Sequence, residues 1–146
     1  MNQNLFRKQK AQTLVEFALI LPLLLVMAFF ILDFGRAVYY FSALYNGARE
    51  GARYGTTLVY ITDTLDAGDQ ALIAVQAKKH LYGIPAASVT VTSSIIDTGF
   101  KTKRYLNVTT QYTYTPVTPF LSIVIPAGIT LRSNSSMRIE PRVDMD

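Results

Sequence analysis

Apart from Met1, Leu5 and Phe6 the chain is polar or basic up to Lys10, and then the pattern turns apolar. From Phe17 to Leu32 there is no charge, and Leu14 and Val15 extend the run past Glu16. As a helix, Leu14 to Phe34 spans roughly 30 Å, the thickness of one hydrocarbon core. A buried core helix is the competing reading. A run that is apolar on every face and carries a basic flank fits a membrane span better. The positive flank places the head in the cytoplasm and the residues after about Asp33 outside. The stretch after Leu32, DFGRAVYYF, has no convincing small-x-small cleavage site, so the apolar segment is expected to stay in the protein.

The helical pattern continues beyond the apolar run. Phe34, Ala37, Val38, Phe41, Leu44, Tyr45, Ala48 and Ala52 recur at steps of three and four, with Arg36, Glu50 and Arg53 off the stripe. The spacing predicts one helix from about Thr13 to Tyr54, roughly 60 Å long. Pro22 removes the amide bond to the Ala18 carbonyl and is expected to kink or loosen it. A second stripe, Ala43, Gly47, Gly51 and Gly55, has four-residue spacing. Each interior glycine costs about 1 kcal/mol against alanine, so the row implies a close approach, by the protein's own sheet or by a neighbouring subunit. Gly55 can also serve as the helix C-cap.

The remainder reads as a small polar unit. Residues 56–69 are turn-rich, and Gln70 to Tyr82 reads as a helix capped by Asp69 and stopped by Gly83. Ser88–Asp97, Arg104–Thr115 and Ile129–Glu140 alternate as strands, the first two forming a hairpin. The predicted fold is α+β. One long N-terminal transmembrane helix continues into a small extracytoplasmic domain with one further helix and a three-stranded antiparallel sheet. The divisions are a basic leader (1–11), the long helix (12–55) and the α+β domain (56–146). Strands two and three are joined by PVTPFLSIVIPAG, whose Phe120, Leu121, Ile123, Val124 and Ile125 form a candidate interaction or membrane-contact loop. The alternative is a loop folded over the sheet edge.

Composition narrows the chemistry. Half of the 146 residues are hydrophobic and 16% are charged, which excludes intrinsic disorder. With no Cys, disulfides, thiolate metal sites and thiol nucleophiles are excluded. The single His80 lies among Lys78 and Lys79 at a helix C-terminus, where a cation compensates the dipole, and this reading outweighs a catalytic base or ligand. Asp63, Asp66 and Asp69 lack the spacing of an EF-hand and read as caps and solvated acids rather than a calcium site. Of the net charge of +4, Arg7, Lys8 and Lys10 supply most, so no basic stripe for nucleic acid is expected on the folded part. No phosphate loop, GxSxG or HExxH is present, so no catalytic residue, cofactor, metal or small-molecule substrate is expected.

Glu16 sits inside the apolar run near its cytoplasmic edge. It is either an acid favoured by a helix N-terminus or a residue that pairs with a neighbouring chain. The basic head, the Ala11–Gln12 junction and Glu16 together resemble the class III signal peptide of type IV pilins and pseudopilins. Over residues 5–55 the stretches QTLVEFALILPLLL, LDFGRAVYY and NGAREGARYG resemble the TadE-like family of the tight-adherence (Flp) pilus system. YTYTPVTPFL and GITLRSNSSMRIE extend the resemblance with less specific motifs. Ala11 stands where the family usually has Gly.

That resemblance implies a membrane-anchored pseudopilin that assembles, primes or caps an adhesive pilus by helix packing. It implies cleavage between Ala11 and Gln12 by a prepilin peptidase, with Glu16 setting subunit registry. The implied partners are the lipid bilayer, the peptidase, other pilin or pseudopilin subunits and the assembly machinery. The implied location is a single pass of the inner membrane, N-terminus cytoplasmic. A membrane-tethered binding or adhesion module without a filament is the alternative, and it leaves Glu16 and the basic head unexplained.

Overall fold

The computed structural model describes residues 3–62, 64–97, 99 and 104–140, with the backbone alone for residues 3–11, 61, 62 and 120. The elements are helix α1 (Gln3–Thr62), helix α2 (Ala67–Lys79), a single 3-10 turn (Ala86–Ser88), strands β1 (Thr90–Asp97) and β2 (Arg104–Tyr114), a short helix α3 (Pro119–Val124) and strand β3 (Ile129–Ile139). The expected α+β architecture is present, with one long apolar helix, one further helix and an antiparallel sheet of order β1-β2-β3.

The long helix runs farther than its hydrophobic spacing predicts. It passes Pro22 without interruption and ends at Thr62 rather than near Tyr54, so Gly55 is an interior residue and not a C-cap. The TTLVYIT segment is rich in β-branched residues, yet two contributions hold it helical. The Thr56 and Thr57 hydroxyls donate to the Arg53 and Tyr54 carbonyls, at 2.8 and 2.6 Å, so their polar groups are satisfied within the helix. Val59 is buried in the core, and that tertiary contact outweighs local propensity.

The start of α2 also differs from expectation. Its N-cap is Asp66, whose carboxylate accepts the Asp69 amide at 2.7 Å, while the Asp69 carboxylate accepts the Asp66 amide at 3.4 Å. This capping box satisfies two helix-end donors reciprocally and moves the start three residues ahead of Gln70. The helix stops at Lys79 with His80 as C-cap, three residues short of the expected Tyr82. The His80 Nδ1 lies 3.2 Å from the Gln76 carbonyl, an acceptor, so it donates there. Asp63 lies outside the described residues.

The sheet alternates as the sequence predicts. β2 pairs with β1 (Val91 opposite Thr110) and with β3 (Leu106 opposite Met137). Val89, Leu106, Val108, Thr110, Tyr114, Ser133 and Ile139 are buried on the inner face, while Thr90, Thr92, Ser94, Arg132, Asn134 and Ser136 face out. The outer half of α1 lies across the inner face of β2 and β3, with α2 beside it and against β1. Two apolar clusters result. Ala52, Val59, Ile73, Leu106, Val108 and Ile139 make one, and Ala43, Leu44, Leu81, Ile84 and Val89 the other.

One polar contact crosses this core. Thr110 is wholly buried, and its hydroxyl donates to the Leu44 carbonyl of α1 at 2.9 Å. Thr110→Val keeps the shape and deletes the donor. It is expected to cost about 1 kcal/mol and to lower the thermal midpoint of the detergent-solubilised protein by about 4–8 °C, read by circular dichroism.

Candidate functional site

The surface that α1 offers changes character along its length. Between Gln12 and Tyr60 it contains a window of mean hydropathy 2.7 in which no residue is buried, long and apolar enough to cross a membrane. In this stem the large side chains from Leu14 to Leu32 all face outward. Glu16 is exposed on it, and the Ala11–Gln12 peptide bond lies in helical backbone. The Ala11 and Phe120 side chains lie outside the described residues.

Past Asp33 the helix becomes two-sided, but not as the apolar stripe predicts. Of that stripe, Leu44, Ala48 and Ala52 are buried and Ala37 half-buried, while Phe34, Val38, Phe41 and Tyr45 remain exposed. The reason is close approach. The buried face carries the small residues, which let other backbones come near, and the bulky ones are turned to the flank.

The glycines show the closeness directly. A Cβ on Gly47 would stand 2.9 Å from the Ala77 carbonyl oxygen and 2.9 Å from Leu81 Cδ2. On Gly51 it would meet Ala77 Cβ at 3.1 Å and Val108 Cγ1 at 3.2 Å, and on Gly55 it would run into Leu106 and Ile73. Ala43 is buried with Leu44 and Leu81. All four residues of this row therefore lie against the chain's own α2, sheet or adjoining loop.

At the junction of stem and domain lies a residue that the periodicity did not single out. Asp33 is 4% exposed. Its Oδ1 accepts the Tyr114 hydroxyl at 3.0 Å and the Val117 amide at 3.3 Å, and its Oδ2 accepts the Thr118 amide at 3.2 Å and the Thr118 hydroxyl at 2.5 Å. Tyr114 also donates to the Asp33 carbonyl at 3.0 Å. Burial, followed by the hydrogen bond to Asp33, pushes the Tyr114 phenol up to about 12, so it stays protonated as a donor. Tyr40 packs edge-on against Tyr112 and Tyr114 and accepts a hydrogen bond from Arg36 at 3.1 Å. One carboxylate thus fastens the end of β2 and the start of the following connection to a fixed level of α1.

That fastening sets the position of the apolar loop. The expected irregular connection contains α3, with Pro119 at its start and the Ser122 and Ile125 amides bonded to the Thr118 and Leu121 carbonyls at 3.1 and 2.8 Å. Leu121, Val124 and Ile125 face Val26, Met27, Phe30 and Ile31 of the stem across an apolar cleft of about 410 Å³. Ile123 and Val124 are widely exposed. The apolar side of the loop thus faces the stem.

Among the described residues no group of three or more His, Asp or Glu is placed to hold a metal ion. Asp66 and Asp69 are engaged with each other's amides in the capping box. The site-forming chemistry is apolar contact, organised by one buried carboxylate.

Residues 11–53 match the sequence model of the TadE-like protein family, covering the stem, Asp33, the exposed Phe34, Val38, Phe41 and Tyr45, and Gly47 and Gly51 of the glycine row. The match points to a role related to the Tad pilus, in a family that is generally non-enzymatic. Together with the apolar helix it is consistent with a single-pass membrane protein. Comparison with curated proteins and with solved structures gives no match.

Proposed function

We propose that this chain, TadE-like over its stem, is a membrane-anchored pseudopilin that assembles, primes or caps an adhesive Tad/Flp-type pilus by packing its helix against those of other subunits. The observation that carries this reading is the exposed apolar ridge of Phe34, Val38, Phe41 and Tyr45. It continues the stem beyond the apolar span, on a helix whose glycine face is already occupied by its own domain. A simple tether needs no apolar ridge above the bilayer, whereas a helix bundle does.

In this reading residues 1–11 are a leader kept in the cytoplasm and removed by a prepilin peptidase between Ala11 and Gln12. The sheet domain stays outside. Glu16 then lies one helical turn from the new amino group, where the carboxylate of one subunit can meet the ammonium of the next. In a medium without water that pairing is far stronger than on a wet surface.

Because the chain has no Cys, single cysteines report contacts cleanly. Val38→Cys and Phe41→Cys are expected to cross-link to pilin-type partners in membranes of cells that express the pilus system, and Tyr82→Cys on the domain surface is not. Glu16→Ala is expected to insert at least as well as the wild type, since it removes a charge from an apolar span, but to lose most of that cross-linking. Absence of ridge cross-links in piliated cells would favour the tethered module without a filament.

A further inference from the structure

We propose that α3 and the prolines flanking it form a membrane wedge. It lies in the leaflet on the domain's side, facing the stem across the cleft, with lipid acyl chains filling the space between them. The inference rests on reading the stem as membrane-embedded and adds a second, short contact of the domain with the same bilayer.

Position is the first argument. The Asp33 hydrogen bonds to Val117 and Thr118 hold the start of the connection at the upper end of the apolar run. From there α3 goes down the stem, so that Leu121 and Val124 face residues as low as Val26. Val26 lies seven helical steps before Asp33, about 10 Å along the axis. This is the depth at which interfacial segments bury their apolar face at the headgroup and acyl boundary.

Chemistry is the second argument. No charged side chain occurs from Tyr105 to Leu131. Ile123 is 78% exposed, and Val124 is 68% exposed although it lines the cleft, at a level where the stem side chains are also exposed. The cleft behind them is lined by apolar side chains alone.

The backbone is the third. A segment in hydrocarbon must satisfy its own polar groups. Pro116, Pro119 and Pro126 have no amide to satisfy. The Val117 and Thr118 amides go to Asp33, and the Ser122, Ile125 and Gly128 amides go to carbonyls within the segment. The two hydroxyls are also turned inward, Thr118 to Asp33 and Ser122 to the Pro119 carbonyl. The bonds satisfy part of the backbone from within the protein, while the first amides of α3 have no side-chain cap.

The test uses the full chain in phosphatidylethanolamine and phosphatidylglycerol vesicles, labelled with an environment-sensitive fluorophore at one introduced cysteine. Ile123→Cys is compared with Met27→Cys on the stem and Asn134→Cys on the outer sheet face. Quenching by nitroxides on the acyl chains is read against quenching by aqueous iodide. The wedge predicts that position 123 behaves like position 27, quenched from the lipid severalfold more than position 134 and shielded from iodide. If position 27 is lipid-quenched but position 123 follows 134, the wedge is wrong and the membrane reading of the stem stands. If position 123 is shielded from both quenchers, a protein covers it and the wedge is also wrong. If position 27 itself is open to iodide, the stem reading fails and the wedge with it. As a second variant, Val124→Asp is expected to move a label at 123 into water while leaving position 27 in lipid, and a label that remains in lipid overturns the proposal.

Discussion

Asp33→Ala is expected to lower the thermal midpoint of the detergent-solubilised protein by about 12–24 °C, which corresponds to about 3 kcal/mol in a domain of this size. The carboxylate accepts from Tyr114, Val117 and from both the amide and the hydroxyl of Thr118. Tyr114 keeps the Asp33 carbonyl as an acceptor after the change. The other three donors lose theirs, and each buried donor left without a partner costs about 1–3 kcal/mol, less where water reaches it. Asp33→Asn keeps one acceptor oxygen and turns an NH2 toward the same donors, so its midpoint is expected between the other two. An alanine variant that melts like the wild type would mean that the domain does not depend on this junction.

Gly47→Leu is expected to be comparably severe, at about 3 kcal/mol or more, the upper end of the overpacking range. Its first carbon alone would stand 2.9 Å from a backbone carbonyl oxygen of α2, which cannot rotate away. Three further carbons have no space unless the last turn of α2 leaves α1. At Gly51 the contacts of an added Cβ are looser, at 3.1 and 3.2 Å. The helix-propensity gain of about 1 kcal/mol from Gly51→Ala is therefore offset by strain, and little net change is expected. These effects belong to a single chain. The Gly47→Leu monomer must itself melt lower in detergent, and a normal monomer with weakened subunit cross-linking would contradict the packing described.

The strands were legible because alternation is local information. Leu106, Val108, Thr110, Tyr112 and Tyr114 share a parity that β2 displays, and the apolar stem declares itself by composition. The role of Asp33 was not legible. Its partners lie more than eighty residues away, so an acid closing an apolar run reads only as a boundary. The end of α1 was missed for a related reason, since Val59 is held helical by the core and not by its neighbours. At α2 two acids three apart allow either to be the cap, and the reciprocal bond decides for Asp66. Hydrophobicity without volume does not place the ridge. Where two backbones must approach closely, glycine and alanine take the buried face and Phe34, Val38, Phe41 and Tyr45 are turned out. In the candidate site, the glycine row and the apolar loop were legible as residues, but what each touches was not.

That the chain is a pilin-type subunit is checked by the N-terminal mass of the protein extracted from membranes that contain an active prepilin peptidase. The expected mature protein begins at Gln12, with Met1 to Ala11 removed, and Ala11→Leu retains the leader because a bulky side chain does not fit a site shaped for Gly or Ala. Recovery of the wild type with its leader intact, in membranes where other prepilins are cut, would contradict it.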